Sequence, residues 1–170
     1  MTTPVPTAGA TVWLTAEQQR HWRAYLAGAA RLTEALNRQL ERDAGLSLSE
    51  YEILVRLSEA ADRTVRMSEL ADSLVHSRSR ITHTVARLER RALVERHECP
   101  GDRRGVNCVL TDTGFELLAA SAPGHVRAVR EALIDRITEP QLRALGEAMA
   151  LVAPEGPDTP ADARPDQRSG

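Results

Sequence analysis

The segment HSRSRITHTVARLERR, residues 76–91, constrains the fold of this chain more than any other stretch. Ile81, Val85, Leu88 and the following Ala92 fall within about 60° of arc at 100° per residue, so they form one narrow apolar stripe. The opposite side carries arginine, histidine and small hydroxyl residues. The segment therefore predicts an amphipathic helix that buries one face and exposes a basic one.

Positive charge is local to this part of the chain. The whole sequence of 170 residues has a formal net charge of −2, whereas residues 77–105 hold eight arginines and four acids, a balance of +4. A pI near 6.2 argues against a protein that coats nucleic acid by bulk charge. Screening limits electrostatic fields to roughly 8–10 Å at ordinary salt, so a small basic patch remains effective on an acidic protein.

The neighbours of the basic helix indicate a winged helix. VRMSELADSLV predicts a short helix capped by Ser68, and a tight turn separates it from the basic helix. VERHEC and VNCVLT have strand-like patterning, and Pro100, Gly101 and Gly105 punctuate the link between them. A major groove about 12 Å wide admits one α-helix, so this unit has the form of a DNA-binding element.

Two helices are expected before this unit. Thr15 with Gln18, and Ser47 with Glu50, have the spacing of a capping box, in which each side chain binds the backbone of the other residue. Gly45 lies between the two patterns and predicts the end of the first helix.

Two more helices are expected after it. One pattern predicts a helix over residues 112–137, weakened or bent at Pro123-Gly124. Thr138 with Gln141 is expected to cap a last helix. The inner face of that last helix is predicted to hold Leu142, Leu145, Met149 and Val152.

Composition favours a cytoplasmic protein. Two cysteines are too few for a disulfide framework, and no apolar run approaches the ~18 residues of a membrane span. The start of the sequence lacks the pattern of a signal peptide. No Ser-His-Asp order, glycine-rich phosphate loop or spaced metal tetrad is present, so neither an enzyme nor a cofactor is expected.

The sequence resembles the MarR family of bacterial transcriptional regulators over roughly residues 15–152. The most specific part is Asp102-Arg103-Arg104-Gly105, which matches the D-x-R-small signature of the family before a strand that ends in LTDTG. The resemblance implies an obligate homodimer that places two winged helices on palindromic double-stranded DNA, with recognition helices about 34 Å apart. It also implies a repressor that small phenolic or aromatic acids release from DNA.

With this resemblance, a mainly α-helical chain in five parts is expected. The parts are a flexible arm (1–12), an N-terminal dimerisation helix (13–45), a winged helix-turn-helix domain (46–111), C-terminal dimerisation helices (112–153) and a disordered tail (154–170).

The predicted DNA-binding residues come from the basic helix and from the wing, which is the hairpin formed by VERHEC, VNCVLT and the link between them. In the resemblance, one wing arginine enters the minor groove, which assigns Arg103 to DNA, while Arg104 pairs with Asp102 and touches DNA as well. The alternative is a solvated helix face followed by a solvated turn. The full set is Ser77, Arg78, Ser79, Arg80, Thr82, His83, Arg87, Arg103 and Arg104.

Four residues are predicted to line a ligand crevice between the dimer helices and the winged helix, where the family binds its effectors. They are Trp22, Tyr25, Tyr51 and Glu52. Core packing is the alternative for each of them. Relatives that sense urate-like ligands carry an arginine where this sequence has Thr84, which argues against urate as the effector.

A second hypothesis is a metal or redox site formed by His97, Cys99 and Cys108. If the hairpin is centred near Asp102–Arg103, His97 faces Cys108 and Cys99 shares their side, so soft ligands meet on one face. A regulator that senses a metal or an oxidant is therefore an alternative, although a slip of one residue would separate these side chains. A winged helix used as a protein-interaction module is another.

Overall fold

The computed structural model describes residues 11–74, 77–99 and 101–152, and only the backbone of Arg103 and Arg104. The predicted tail and all but two residues of the predicted arm lie outside these ranges. The six α-helices are α1 (Ala16–Ala44), α2 (Leu48–Glu59), α3 (Met67–Ser73), α4 (Arg78–Arg90), α5 (Asp112–Ala132) and α6 (Glu139–Val152). The three strands are β1 (Thr64–Arg66), β2 (Val94–Cys99) and β3 (Asp102–Leu110).

This architecture confirms a mainly helical winged helix-turn-helix. The apolar core lies within the winged helix, where side chains from α2, α3, α4 and the sheet meet the end of α1. No residue of α6 is buried in the single chain. Within the described ranges, no helix combines the length and hydropathy that a membrane crossing requires.

The predicted ends of the first two helices are confirmed. The Thr15 hydroxyl accepts a hydrogen bond from the Gln18 backbone N–H while the Gln18 side chain binds Thr15 in return, and Ser47 with Glu50 repeats this arrangement. Gly45 takes a left-handed conformation (φ 60°), which costs glycine little, and its N–H donates to Glu41. Only three residues, 45–47, therefore separate α1 from α2.

The sheet has a strand that the sequence did not reveal. Strand β1 pairs antiparallel with β3, giving the order β1-β3-β2. Three residues are too few to display alternation, so local patterning does not detect this strand. The predicted cap at Ser68 is wrong because α3 already begins at Met67, with Arg66 at its N-cap.

The predicted register of the hairpin is also wrong, by one residue. His97 pairs with Asn107, and Cys108 pairs with Arg96. An irregularity between Glu98 and Cys99 shifts the pairing near the turn, so the hairpin is not symmetric about the predicted centre. The shift lets Cys108 point into the core while His97 stays exposed.

The long C-terminal helix is shorter than predicted. It ends at Ala132 instead of Ile137, because Leu133 leaves helical geometry and residues 134–136 form a 3₁₀ turn. Pro123 is accommodated inside α5. The N–H of Thr138 and its hydroxyl both donate to Gln141, as predicted for the start of α6. Leu142, Leu145 and Met149 are half-buried and Val152 is exposed, so the predicted inward face is not buried within one chain.

Gly114 in the LTDTG motif is required by packing. A methyl group on its Cα would lie within contact distance of the Leu93 carbonyl oxygen and 2.8 Å from Leu110 Cδ1. The N–H of the same residue donates to the Thr111 hydroxyl, which caps α5 and in turn donates to the Ala92 carbonyl. The motif therefore fastens the start of α5 to residues 92–93, which connect α4 to β2.

We predict that Gly114→Ala destabilises the fold by about 3 kcal/mol, because the methyl group forces backbone apart in a packed site. Urea unfolding measures the change. Thr113→Ala, at the exposed neighbouring position, is the matched control and is expected to stay within about 0.5 kcal/mol of the wild type. Equal stability of the two variants would contradict the packing argument.

His125 joins α5 to both helices at the start of the chain. Its ring lies 4.4 Å from the ring of Tyr51, and its Nδ1 is 3.3 Å from Gln39 Oε1. The Gln39 amide donates in turn to Asp43. Burial lowers the pKa of His125, because the charged imidazolium is poorly solvated there.

This arrangement predicts a pH-dependent contribution to stability. A lowered pKa in the folded state means that the stability is fully present above the unfolded value of about 6.5 and is lost as pH falls toward the folded value. The free energy of unfolding should therefore fall more steeply below about pH 6.5 for the wild type than for His125→Gln. Urea titrations at several pH values compare the two; parallel curves would refute the prediction.

Candidate nucleic-acid interface

Helix α4 exposes the face that the sequence predicts. Ile81, Thr84, Val85 and Leu88 are buried against the core. The apolar stripe ends there, because Ala92 lies outside the helix, is exposed and has a φ of 56°. The predicted contact residues of the helix are all exposed: Ser77, Arg78, Ser79, Arg80, Thr82, His83 and Arg87.

The N-terminal turns of α4 present polar groups to solvent. The Ser77 hydroxyl caps the helix by accepting from the Arg80 N–H, and the Thr82 hydroxyl donates to the Arg78 carbonyl. Within the described ranges, no side-chain hydrogen bond or ion pair engages Arg78, Ser79 or His83. These three side chains are available for an external partner.

Three of the five arginines in residues 76–91 bind the junction between α1 and α2. Arg91 donates to the carbonyls of Gly45 (2.8 Å) and Ala44 (3.3 Å) at the C-terminus of α1. Arg80 donates to the Ser49 hydroxyl (3.3 Å), and Arg87 binds Glu50 (3.0 Å). Helix α4, the predicted recognition helix, is thus attached to this junction at three points along its length.

Glu50 is the acceptor at the centre of this junction. One oxygen accepts from Arg87, and the other accepts from the backbone N–H and the hydroxyl of Ser47. Burial by itself raises the pKa of Glu50, but the hydrogen bonds from Ser47 and Arg87 outweigh it and leave that pKa below its ordinary value. Glu50 is therefore ionised at neutral pH.

The wing is fastened to β1 at its base. Arg66 forms an ion pair with Asp102 at the start of β3. A side chain at position 105 would meet the Arg66 guanidinium at 2.5 Å and Cys99 Sγ at 2.8 Å, which explains the small residue of the motif. The side chains of Arg103 and Arg104 lie outside the described part of the structure, so the predicted pair of Arg104 with Asp102 stays a prediction.

The wing is also tied to the recognition helix. Arg96 on β2 donates to Glu89 on α4 through Nε (3.1 Å) and Nη2 (2.5 Å). This ion pair restrains the hairpin relative to α4.

Two arginine-lined clefts flank the exposed face of α4. The larger, about 360 Å³, lies between α1, α2 and α4, and the smaller, about 270 Å³, lies between α3, α4 and the wing. The first is lined by Asn37, Ser47, Ser49, Arg80, His83, Thr84 and Arg87. The second is lined by Arg66, Met67, Ser68, Thr82, Arg96, Gly105 and Val106.

Comparison with known proteins identifies the family. The sequence model of a protein family, described as MarR family, matches residues 44–105 of this chain. The crystal structure of Sco3205, a MarR family transcriptional regulator from Streptomyces coelicolor in complex with DNA, is 49% identical, with a TM-score of 0.83. That match covers 86% of this chain and 91% of Sco3205. This chain belongs to the MarR family.

Other MarR-family proteins agree over different lengths. AbsC from Streptomyces coelicolor is 40% identical, with 84% of this chain and 96% of AbsC covered and a TM-score of 0.79. The regulator PecS from Dickeya dadantii is 35% identical over 52% of this chain and 54% of PecS. The repressor MprA from Escherichia coli is 31% identical over 55% and 53%. The chain thus spans about half the length of these two regulators.

The four residues predicted to line a ligand crevice fall in two separate places in this MarR-family chain. Trp22 and Tyr25 stack on each other with ring centroids 5.8 Å apart, in the exposed half of α1. Tyr51 is buried beside His125, and its neighbour Glu52 is half-buried. Trp22 lies 18 residues before Leu40, the point where α1 enters the core, a distance of about 27 Å along a helix.

The three residues of the metal or redox hypothesis do not meet. His97 contacts Glu95 (3.1 Å), and the Cys99 thiol donates to Asn107 (3.0 Å). Cys108 is buried, and burial raises the pKa of its thiol to about 12. Across the described residues, no group of three or more His, Cys, Asp or Glu side chains is arranged to hold a metal ion.

Sequence reasoning missed the structural roles of Arg66, Arg91 and Glu50. The partners of Arg66 and Arg91 lie 36 and 46 residues away, so no local spacing indicates them. The capping-box pattern identified Glu50 as a helix cap, and nothing in that pattern points to Arg87.

We predict that a thiol reagent at about pH 8 modifies one cysteine per native chain, because Cys108 is enclosed and its thiol stays protonated. Mass spectrometry after trapping identifies the modified residue, which should be Cys99. Cys99→Ser should then remain unmodified until the protein is unfolded. Rapid modification of Cys108 in that variant would contradict the described packing.

Proposed function

We propose that this MarR-family protein is a sequence-specific transcriptional regulator that binds double-stranded DNA and represses its target genes. One observation carries the proposal: on the exposed N-terminal face of α4, the side chains of Arg78, Ser79 and His83 have no partner among the described residues, while Arg80 and Arg87 hold the helix in place. Arginine reads guanine edges or holds phosphates, and serine and histidine hydrogen-bond to bases or backbone.

The wing supplies a second contact in this proposal. Backbone pairing places Arg103 and Arg104 at the start of β3, next to the turn of the hairpin. We assign Arg103 to the adjacent minor groove and Arg104 to the wing loop and the phosphates beside it. The ion pairs of Arg66 and Arg96 orient the wing relative to α4.

A homodimer completes the binding surface. Helix α6 has no buried residue in the single chain, and large apolar side chains are exposed in and just before the N-terminal half of α1, among them Trp13 (82% exposed) and Trp22 (52%). Such a surface is covered in solution by a partner. A second copy of the chain, related by two-fold symmetry, would place two recognition helices about 34 Å apart on a palindromic operator.

A small aromatic acid is the effector class that the chain suits best. Both clefts beside α4 are lined by arginines and by hydroxyl or apolar groups. These arginines bind acceptors of the protein, but Arg66, Arg87 and Arg96 are partly exposed, and a guanidinium has five N–H donors, which leaves some for a ligand carboxylate. Trp22 and Tyr25 offer an aromatic surface to the proposed dimer. A ligand that binds better to a dimer whose helices do not match the operator would release DNA by population shift. We expect the protein to act in the cytoplasm and to have no enzymatic activity.

Fluorescence anisotropy with duplex DNA from upstream of the protein's own gene tests the function. Tight binding that weakens steeply between two salt concentrations, and that salicylate reverses, is the expected result. Failure to prefer this duplex over a scrambled one would overturn the proposal. Release by zinc or peroxide instead of salicylate would favour the metal or redox alternative.

We predict that Arg78→Ala lowers affinity for the specific duplex by roughly tenfold or more, with the salt slope reduced by about 0.9 if the lost contact is a phosphate. Arg168→Ala removes the same charge in the predicted tail, outside the parts assigned to DNA binding and to dimerisation, and is the matched control. Equal loss in both variants would mean that net charge, and not the face of α4, determines binding.

A further inference from the structure

Glu50 is the only charged side chain that is buried among the described residues. Removing a carboxylate from water is costly unless its lone pairs are satisfied, and here three donors satisfy them. Helix capping alone does not explain the charge, because a capping box accepts glutamine at the same position. The charge is explained by the guanidinium that it holds.

Arg87 is held in an unusual manner for an exposed arginine. Its Nε donates to Glu50, whose side chain is 8% exposed, while its own side chain is 47% exposed. Within the described ranges, neither Nη atom of Arg87 has a hydrogen-bond partner. One edge of the guanidinium is therefore anchored inside the protein and the other edge faces solvent on the side of α4.

A second contact supports the same alignment. Arg80, two turns earlier on α4, donates to Ser49 in the first turn of α2. That turn is itself positioned by α1, because Asn37 accepts a hydrogen bond from the Leu48 N–H (2.9 Å). The position of Glu50 is thus determined by the dimerisation helix, and the position of Arg87 is determined by Glu50.

We propose that Glu50 is a positioning residue for DNA binding, which holds Arg87 so that the outer edge of its guanidinium meets a DNA phosphate. This inference rests on the proposed function. An arginine fixed beforehand loses less side-chain entropy on binding than a free one. Because a carboxylate near DNA also repels phosphates, the positioning effect and the charge effect of Glu50 have opposite signs.

The opposite signs make a sharp test possible with Glu50→Gln. Glutamine keeps the capping box, so the fold is retained, but it removes the charged acceptor of Arg87. Because a phosphate contact is independent of sequence, positioning predicts that affinity falls roughly three- to tenfold for both the specific and a scrambled duplex, whereas loss of a repelling charge alone would raise both affinities. Glu59→Gln, which neutralises an exposed acid at the C-terminal end of α2, is the matched control and should change neither affinity.

A double-mutant cycle shows whether Glu50 acts through Arg87. Arg87→Ala should weaken specific binding and lower the salt slope by about 0.9, and adding Glu50→Gln to it should cause no further loss. Thermal unfolding of every variant monitors the fold. The Arg87 Nε–H signal in NMR spectra of the DNA-free protein should be protected from exchange in the wild type and lost in Glu50→Gln.

Several outcomes would overturn the inference. They are an affinity in Glu50→Gln that is unchanged or higher than that of the wild type, a loss of affinity together with a lower melting temperature, and an undiminished effect in the Arg87→Ala background. Each of them leaves the proposed function standing if the wild type binds its duplex. A wild type without specific binding refutes the proposed function, and the inference with it.

Discussion

The orientation of α4 depends on how its arginines neutralise the junction between α1 and α2. The C-terminal carbonyls of α1 carry partial negative charge, and Arg91 donates to two of them. Two residues after Gly45, α2 begins with a capping box whose acid binds Arg87. Without these contacts, the buried stripe of α4 and the ion pair of Glu89 with Arg96 would hold the helix, and a stripe of aliphatic side chains sets an angle less strictly than directed hydrogen bonds do.

This junction accounts for much of the positive charge in residues 76–91. Arg80, Arg87 and Arg91 bind acceptors inside the molecule, while the Arg78 side chain at the start of α4 has no partner in the part of the chain that the structure describes. An acidic chain can present a basic surface because most of its other charges lie on different helices, several in exposed pairs of little energetic weight. The basic surface therefore results from where the arginines lie in the fold, and the net charge of the chain does not indicate it.

Features encoded within a few residues were predictable from the sequence. The capping boxes at Thr15 and Ser47 and the left-handed Gly45 depend on spacings of three or four residues, and the buried face of α4 depends on helical periodicity. Features that join distant segments were not. The Arg66–Asp102 pair spans 36 residues, strand β1 is too short to show a pattern, and the irregular turn shifted the register that would have joined His97 to Cys108.

Methylation protection of guanine N7 tests the central claim most directly, since N7 lies in the major groove that α4 is proposed to enter. The account predicts two clusters of protected guanines on the duplex from upstream of the protein's own gene, with centres about 10 base pairs or a multiple of one helical turn apart. Protection confined to adenine N3 in the minor groove, or a single cluster without a symmetric partner, would contradict it.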